Sequence, residues 1–413
     1  MPNNFRARTK TTNTLIYTFL SLFISVSGCK SVIDRQDVRP RVLRDVPARV
    51  LAYRLEPDVD SPRQQVEDPG EKLEAIQKDF SSRRTNDALI RTVKSPDGNR
   101  VLALYGTDEE PTSAFRIDLY SSDGQFLRNL SPPTLSCVFP ETVAWSPDNN
   151  LVTFIAHKRA MPSPSPTPPV VIEEPSASPQ PSASIAPTFA PVAAFQTEQI
   201  YVCNRDGYDL KPITSREGLI YFAFAWAPDS HALVALACKE AEWDARERQS
   251  KLPVGRPRLL TPDGQERLLD DGLAEALPVW SPDASKVATA FETDVAIYDA
   301  ATDKPTQARL PMRDQLIAAS VVYEQKVAAK KAQQGSKESK ESSSVAPTSP
   351  SPVAQVASQD VPASFNTIVR LEWVAPERLY FQTAYILVLP NETISTFPRW
   401  HLLQLSAQAA VLK

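Results

Sequence analysis

Trp145-Ser-Pro-Asp148, Trp226-Ala-Pro-Asp229, Trp280-Ser-Pro-Asp283 and, more loosely, Trp373-Val-Ala-Pro376 recur along a chain of 413 residues. Lys94-Ser-Pro-Asp-Gly98 keeps the turn without the tryptophan. Proline presets φ for the second position of a type I turn, aspartate hydrogen-bonds locally, and glycine accepts the positive φ at which the next strand departs. Apolar runs flank the turn, residues 88–93 and 101–105 in the first copy, so each copy predicts an antiparallel hairpin. Asn149 suits the position held by Gly98, whereas Ser230 and Ala284 predict less comfortable turns.

Two further candidate strands follow each hairpin. They are 115–120 and 126–130, 199–203 and 210–214, 258–261 and 266–269, 295–298 and 307–310, and 401–405 with 409–412. The first three pairs turn at Asp123-Gly124, Asp206-Gly207 and Asp263-Gly264, the fourth more loosely at Ala301-Thr302-Asp303. Four short strands per unit, repeating every 45–55 residues or about that once insertions are removed, is the blade period of a β-propeller. A tryptophan at one strand position in each unit is first a packing signal, since an indole buries about 150–250 Å².

The pattern apolar-x-Trp-Ser-Pro-Asp-Gly, then an apolar strand, then Ile-Tyr-Val and Asp-Gly resembles the TolB-type (WD40-like, PD40-type) β-propeller repeat over residues 88–413. That repeat also occurs in the propeller domains of prolyl-oligopeptidase-like peptidases. The resemblance implies an all-β fold, a propeller of five or six four-stranded blades. It also implies a family that mixes protein-binding scaffolds, peptidase gates and a few lyases. In such a fold Trp145, Trp226, Trp280 and Trp373 pack between blades. Pro96, Asp97, Gly98, Pro147, Asp148, Pro228, Asp229, Pro282 and Asp283 build the turns. Only one copy keeps the full Ser-Pro-Asp-Gly, and the fifth keeps neither Ser nor Asp in register.

The first thirty residues read as a targeting segment. Arg6, Arg8 and Lys10 precede an apolar run over 15–26 that is too short to span a bilayer as a helix. Ser27 and Gly28 before Cys29 resemble a bacterial lipobox, which implies a signal peptide over 1–28 and lipidation of Cys29. The plainer alternative is an ordinary signal peptide, or a short anchor, with a chance cysteine. Acyl chains suffice for stable anchoring when there are several. Lys30, in the place where an aspartate marks inner-membrane retention, favours the outer membrane. Cleavage before Cys29 removes three basic residues and takes the net charge from −4 to −7, which offers no general attraction for nucleic acid.

Hydrophobic residues at 42 % and charged ones at 23 % are ordinary for a folded chain, whereas 38 prolines against 11 glycines are not. Two inserts account for many of the prolines. Residues 161–194, dense in Pro, Ser, Ala and Thr, predict extended polyproline-like chain, a tolerated surface loop or a spacer. Residues 326–362 predict a short helical continuation from near Gln315 and then a disordered Lys/Ser-rich run. Lys326, Lys330, Lys331, Lys337 and Lys340 there are diluted by Glu338 and Glu341, so a solvated segment outweighs a polymer contact. A smaller insert over 239–250 alternates in charge and predicts a solvent-facing helix. Residues 29–87 contain strand candidates at 41–43 and 49–55 and a helix over 71–80; they predict ring-closing strands or a partial further blade.

Chemistry is sparse. Gly-x-Ser-x-Gly, His-Glu-x-x-His, a P-loop and C-x-x-C do not occur, which removes the common hydrolase, zinc and nucleotide signatures. Cys137, Cys203 and Cys238 read as small buried hydrophobes, with a Cys137–Cys203 bridge as an alternative. His157, His231 and His401 have no partner identifiable by spacing. Trp243 and Trp400, outside the repeat position, are the candidates for an exposed binding surface. The expected protein is a non-catalytic, lipid-anchored envelope scaffold facing the periplasm, with a protein or envelope polymer as partner and no cofactor or metal. The alternative is a propeller-based enzyme such as a polysaccharide lyase or hydrolase, which needs His, Arg and carboxylates to converge.

Overall fold

A computed structural model describes residues 42–62, 72–107, 114–160, 192–341, 365–388 and 394–407, all within the unit Val42–Lys413. The proline turns form, and they carry more than a local role. Ser95, Ser146 and Ser281 each donate their hydroxyl to the aspartate two residues on at 2.6 Å, while residues four along the turn close back on the first carbonyl at 2.9–3.0 Å. The closing residues Gly98, Asn149, Ser230 and Ala284 all take positive φ, between 56° and 72°. The two non-glycine polar ones reach the preceding turn. The Asp97 amide donates to Asn149 Oδ1 at 2.8 Å, and the Asp148 amide donates to Ser230 Oγ at 3.0 Å. Left-handed strain at these positions, about 1–2 kcal/mol, is thus offset by a hydrogen bond that glycine has no atom to make.

The expected all-β ring of five or six four-stranded blades is not what the chain forms. Among the described residues there are four sheets, of four, nine, four and four strands, and three α-helices of 10, 9 and 29 residues, a mixed helix-and-sheet architecture. Strands Ala88–Lys94, Arg100–Gly106, Ala114–Ser121 and Phe126–Asn129 make the first unit; Ala144–Trp145, Leu151–Lys158, Gln199–Asn204 and Lys211–Pro212 make the second. Leu135–Val138 fuses them. Phe126–Asn129 pairs only with residues 118–120 of Ala114–Ser121, so Ala114 and Phe115 have a free edge there; Val138 and Cys137 take it, and the same strand pairs on its other side with Leu151–Lys158. Buried backbone polar groups demand partners, and this short apolar strand supplies them to both units.

Counting the two units fused in the nine-stranded sheet as the first and second of five, the third sheet runs Leu219–Trp226, Leu233–Lys239, Arg256–Leu260, Glu266–Leu268, and the fourth runs Val279–Trp280, Lys286–Phe291, Asp294–Asp299, Gln307–Pro311. In the last sheet Phe365–Ala375, Arg378–Val388 and Ile394–Ser406 are joined by Ala52–Val59, in register from Ala52 opposite Ser406. Residues 43–45 and 48–50 form 3-10 turns, and strand candidate 409–412 lies outside the described residues.

Apolar clusters join these sheets in series: first unit to second through Leu104 and Phe154, second to third through Ile155 and Tyr221, third to fourth through Val234 and Trp280, fourth to last through Ile297 and Phe381. Among the described residues no such cluster joins the last sheet to the first. The first sheet's other face, Val101, Ala103, Tyr105 and Tyr120, is covered instead by Ile76 and Phe80 of helix α1, Glu74–Arg83. A helix, rather than the ring of blades expected from the repeats, therefore covers the series at this end.

The inserts also depart from expectation. Glu240–Arg248 is helix α2, its start held by a Lys239 amide to Glu242 bond. Arg313–Glu341 is helix α3, so residues 335–341, expected to be disordered, continue a helix whose Ala, Lys, Gln and Glu content favours propagation. Residues 161–191 and 342–364 lie outside the described residues, as does Cys29. Cys137, Cys203 and Cys238 are all buried free thiols. Cys137 stands opposite Ala156 and Cys203 opposite Val152, four residues apart on Leu151–Lys158, or about 13 Å along the strand. A bridge needs Cα atoms within about 7 Å. No helix among the described residues is long and apolar enough to cross a membrane.

His401, 1 % exposed, ties the N-terminal strand to the last sheet: Nδ1 accepts from the Asp58 amide at 3.4 Å and Nε2 lies 3.2 Å from Thr383 Oγ1. Burial, helped by Arg399, lowers its pKa to about 4. The unfolded imidazole titrates near 6.5, so the unfolded chain binds the extra proton between these values. Stability from this group is full above pH 6.5 and falls as pH drops toward 4, by on the order of 3 kcal/mol. Urea unfolding of the native chain at pH 7.5, 6 and 5 is expected to show that loss, and His401→Gln to flatten it; an equally steep profile in the variant contradicts this assignment. Asn149→Ala is expected to cost about 1–2 kcal/mol in the same assay, and Asn149→Gly less, because glycine relieves the φ strain while losing only the bond to Asp97.

Candidate functional site

Helix α1 covers only part of the first sheet, and a cleft opens beside it. The helix ends at Arg84, whose side chain turns back over the Phe80 and Tyr105 rings, 4.3 and 4.1 Å from their centroids. Its guanidinium donates to Asp87 Oδ2 at 2.8 Å, to Asp118 Oδ2 at 2.5 Å and to the Tyr120 hydroxyl at 3.2 Å. Asp118, 2 % exposed, also accepts from Asn129 Nδ2 at 2.7 Å and from the Tyr105 hydroxyl at 3.4 Å. The Tyr120 hydroxyl donates to Asp79 of α1 at 3.0 Å. Alternation along Ala114–Ser121 puts Asp118 and Tyr120 on the face toward the helix and Ile117 and Leu119 on the other.

A cavity of about 360 Å³ lies over this network, lined by Tyr105, Asp118, Tyr120, Asn129 and Phe126, and it shares Asp79, Arg84 and Phe126 with a wider trough of about 620 Å³. The trough adds Lys78 and Arg83 of α1. Phe126, 55 % exposed, meets Tyr120 edge-on at 5.8 Å and lines both the cavity and the trough. Burial raises the Asp118 carboxyl above its ordinary range, against the pull of Asn129 and Arg84. Burial likewise pushes the Tyr120 phenol up to about 12. The network pins α1 to the sheet, and it leaves aromatic faces and amide and carboxylate edges along an accessible cleft.

The repeat residues lie elsewhere. Trp145 and Trp280 are buried, and their indoles donate to Val93 O at 3.2 Å and Ala225 O at 3.0 Å, equivalent carbonyls two residues before the turn of the preceding unit. Trp373 bonds within its own turn to Pro376 O, and Trp226 Nε1 is buried without a partner among the described residues. The structure brings the turns of Pro96, Asp97 and Gly98, of Pro147 and Asp148, and of Pro228 and Asp229 together in one file. Asp283, after Pro282, binds Ser281 and Ser285. Trp243 packs between Phe139 and Phe222, each at 5.7 Å, and Trp400 is buried in the last sheet, so neither is the exposed indole that was sought.

His157 faces Glu198 at 3.4 Å, His231 folds onto its own turn in solvent, and His401 is buried; the three sit on separate sheets and do not converge. No group of three or more metal-binding side chains gathers among the described residues. Arg84, Asp118 and Asn129 were not singled out from sequence. A hint existed: Asp118 is the one acid in the otherwise apolar run Ile117 to Tyr120.

Removing one member of a buried ion pair leaves the other uncompensated, which costs about 3–5 kcal/mol. Arg84→Met and Asp118→Leu are each expected to lose that much in urea unfolding, and the double variant to lose less than either. Additive losses would show that the two side chains do not act as a pair.

No family model matches the chain, and comparison with curated proteins finds no match. Solved structures give weak, partial likenesses. The putative TolB from Agrobacterium tumefaciens is 16 % identical with a TM-score of 0.30, over 53 % of this chain and 64 % of that one. An oligogalacturonate lyase in complex with manganese is 10 % identical with a TM-score of 0.35, over 76 % and 65 %. Prolyl oligopeptidase B from Galerina marginata is 10 % identical with a TM-score of 0.39, over 87 % and 42 %. The chain spans less than two thirds of each, and likenesses this weak assign neither a family nor an activity.

Proposed function

We propose that the chain is a non-catalytic envelope lipoprotein, anchored through Cys29 and facing the periplasm, whose folded body binds a protein or envelope polymer in the cleft beside α1. One observation carries the binding role. The cleft's buried polar groups satisfy one another, Asp118 with Arg84, Asn129 and Tyr105, while Phe126 stands exposed in its lining. A general base or nucleophile is held with its lone pair aimed at a reacting atom. Here the carboxylate is spent on internal bonds, and what faces outward is contact area. The anchor is supported by the basic, apolar and small-residue pattern that ends at Cys29, and Lys30 after it favours the outer membrane.

Cells fed an alkyne-bearing palmitate are expected to label the native chain and not Cys29→Ala; an unlabelled native chain ends the lipoprotein reading. Crosslinking and affinity purification from envelopes is expected to recover a partner at least fivefold more with the native chain than with a Phe126→Ser, Lys78→Ser variant. Equal recovery would move the binding surface away from this cleft.

A further inference from the structure

Glu266–Leu268 is the outer strand of the third sheet, and its pairing fixes which backbone groups it leaves free. The Leu269 amide donates to Pro257 O and the Thr261 amide donates to Gln265 O, so the pairs 257/269, 259/267 and 261/265 are the hydrogen-bonded ones. Antiparallel ladders alternate, so the N–H and C=O groups of Glu266 and Leu268 point away from the sheet. No backbone partner meets them there among the described residues. Leu268 is 41 % exposed beside this edge.

Arg267 lies on the opposite face of that strand, in a groove of about 170 Å³ between the third and fourth sheets, with Leu269, Tyr298, Thr306 and Gln307 around it. That is the volume of about five or six waters. Its guanidinium donates to the backbone carbonyl of Asp299 at 2.9 Å. The Asp299 carboxylate is already occupied by Lys286 Nζ at 2.9 Å, the Ala48 amide at 3.0 Å and the Thr306 hydroxyl. Neighbouring arginines of the same two sheets are each matched to an acid: Arg258 to Glu266, Arg256 to Glu242 at 2.7 Å, Arg309 to Asp270 at 3.0 Å. Burial holds the Arg267 pKa below its ordinary value, the effect of desolvating a cation without full compensation.

A half-buried guanidinium paired to a neutral carbonyl, next to an open strand edge, is complementary to an extended segment that carries a carboxylate. We infer that the edge of Glu266–Leu268 docks an acidic extended peptide of a protein partner, its main chain adding a strand at Glu266 and Leu268 and its carboxylate meeting Arg267. Strand addition supplies affinity through main-chain bonds, and a bidentate arginine–carboxylate contact supplies selectivity. This site is separate from the cleft beside α1 and stands whether or not that cleft binds.

The test is fluorescence anisotropy on the full chain with a dye-labelled, end-capped peptide Thr-Val-Glu-Val-Thr and its Gln counterpart. The Glu peptide is expected to bind at least tenfold more tightly than the Gln peptide at low salt. Arg267→Gln is expected to erase that difference, and Arg267→Lys to restore part of it. Leu268→Pro removes an outward N–H and is expected to weaken both peptides at least fivefold, with circular dichroism verifying the fold; Arg267→Gln serves if Leu268→Pro does not fold. Equal affinity for the two peptides, or a difference that survives Arg267→Gln, overturns the carboxylate contact. Displacement of the Glu peptide by acetate at equal concentration overturns the strand-addition half, because the site then takes a small carboxylate alone.

Discussion

A β-sheet with two apolar faces has to be covered on both, and this requirement organises the molecule more than any single contact does. From the first sheet to the last each inner face is buried against the next, as Trp280 is against Val234. At about 25 cal/mol for each Å² removed from water, even partial burial of such faces amounts to tens of kcal/mol, far above what any turn contributes. The end of the series has no further sheet to meet. Helix α1 covers the first sheet there, and because a ten-residue helix is narrower than a sheet, the remainder is an open cleft.

That remainder explains the chemistry of the cleft. Asp118 occupies a position that a neighbouring sheet would fill with an apolar residue. It is tolerated because Arg84, at the very end of α1, reaches it along with Asn129 and Tyr105. Unpaired, the carboxylate would disfavour the fold; paired, it selects the one placement of the helix that satisfies it. The pair therefore serves register as well as stability.

Sequence reading captured what local rules determine. Proline, aspartate and a residue tolerant of positive φ specify each turn, and apolar runs specify the strands beside it, so the hairpins at the turns were legible while the way they assemble into sheets was not. Global closure was not, because nothing local distinguishes a sheet that meets another sheet from one that meets α1. The fusion of the first two units was hidden for the same reason: Leu135–Val138 is an apolar segment whose partners lie on two strands, one before and one after it. Helix α3 was underread where Ser and Gly lower propensity locally while its neighbours continue the turn. The cleft was least visible, since Arg84 and Asp118 are 34 residues apart and only the tertiary arrangement joins them. Ser230 reads as a less comfortable turn residue because nothing local shows that the preceding turn uses its hydroxyl oxygen.

The pairing of Ala52–Val59 with Ile394–Ser406 has a consequence for biosynthesis. Asp58 meets His401 across 343 residues of chain. At translation speeds of about 5–20 residues per second, the N-terminal strand waits roughly 20–70 s before its partner leaves the ribosome. Until then its edge is open to any passing strand, and the last sheet cannot be completed by any order of synthesis. However early the rest of the chain folds, this sheet stays short of its edge strand until residues 394–406 have been made.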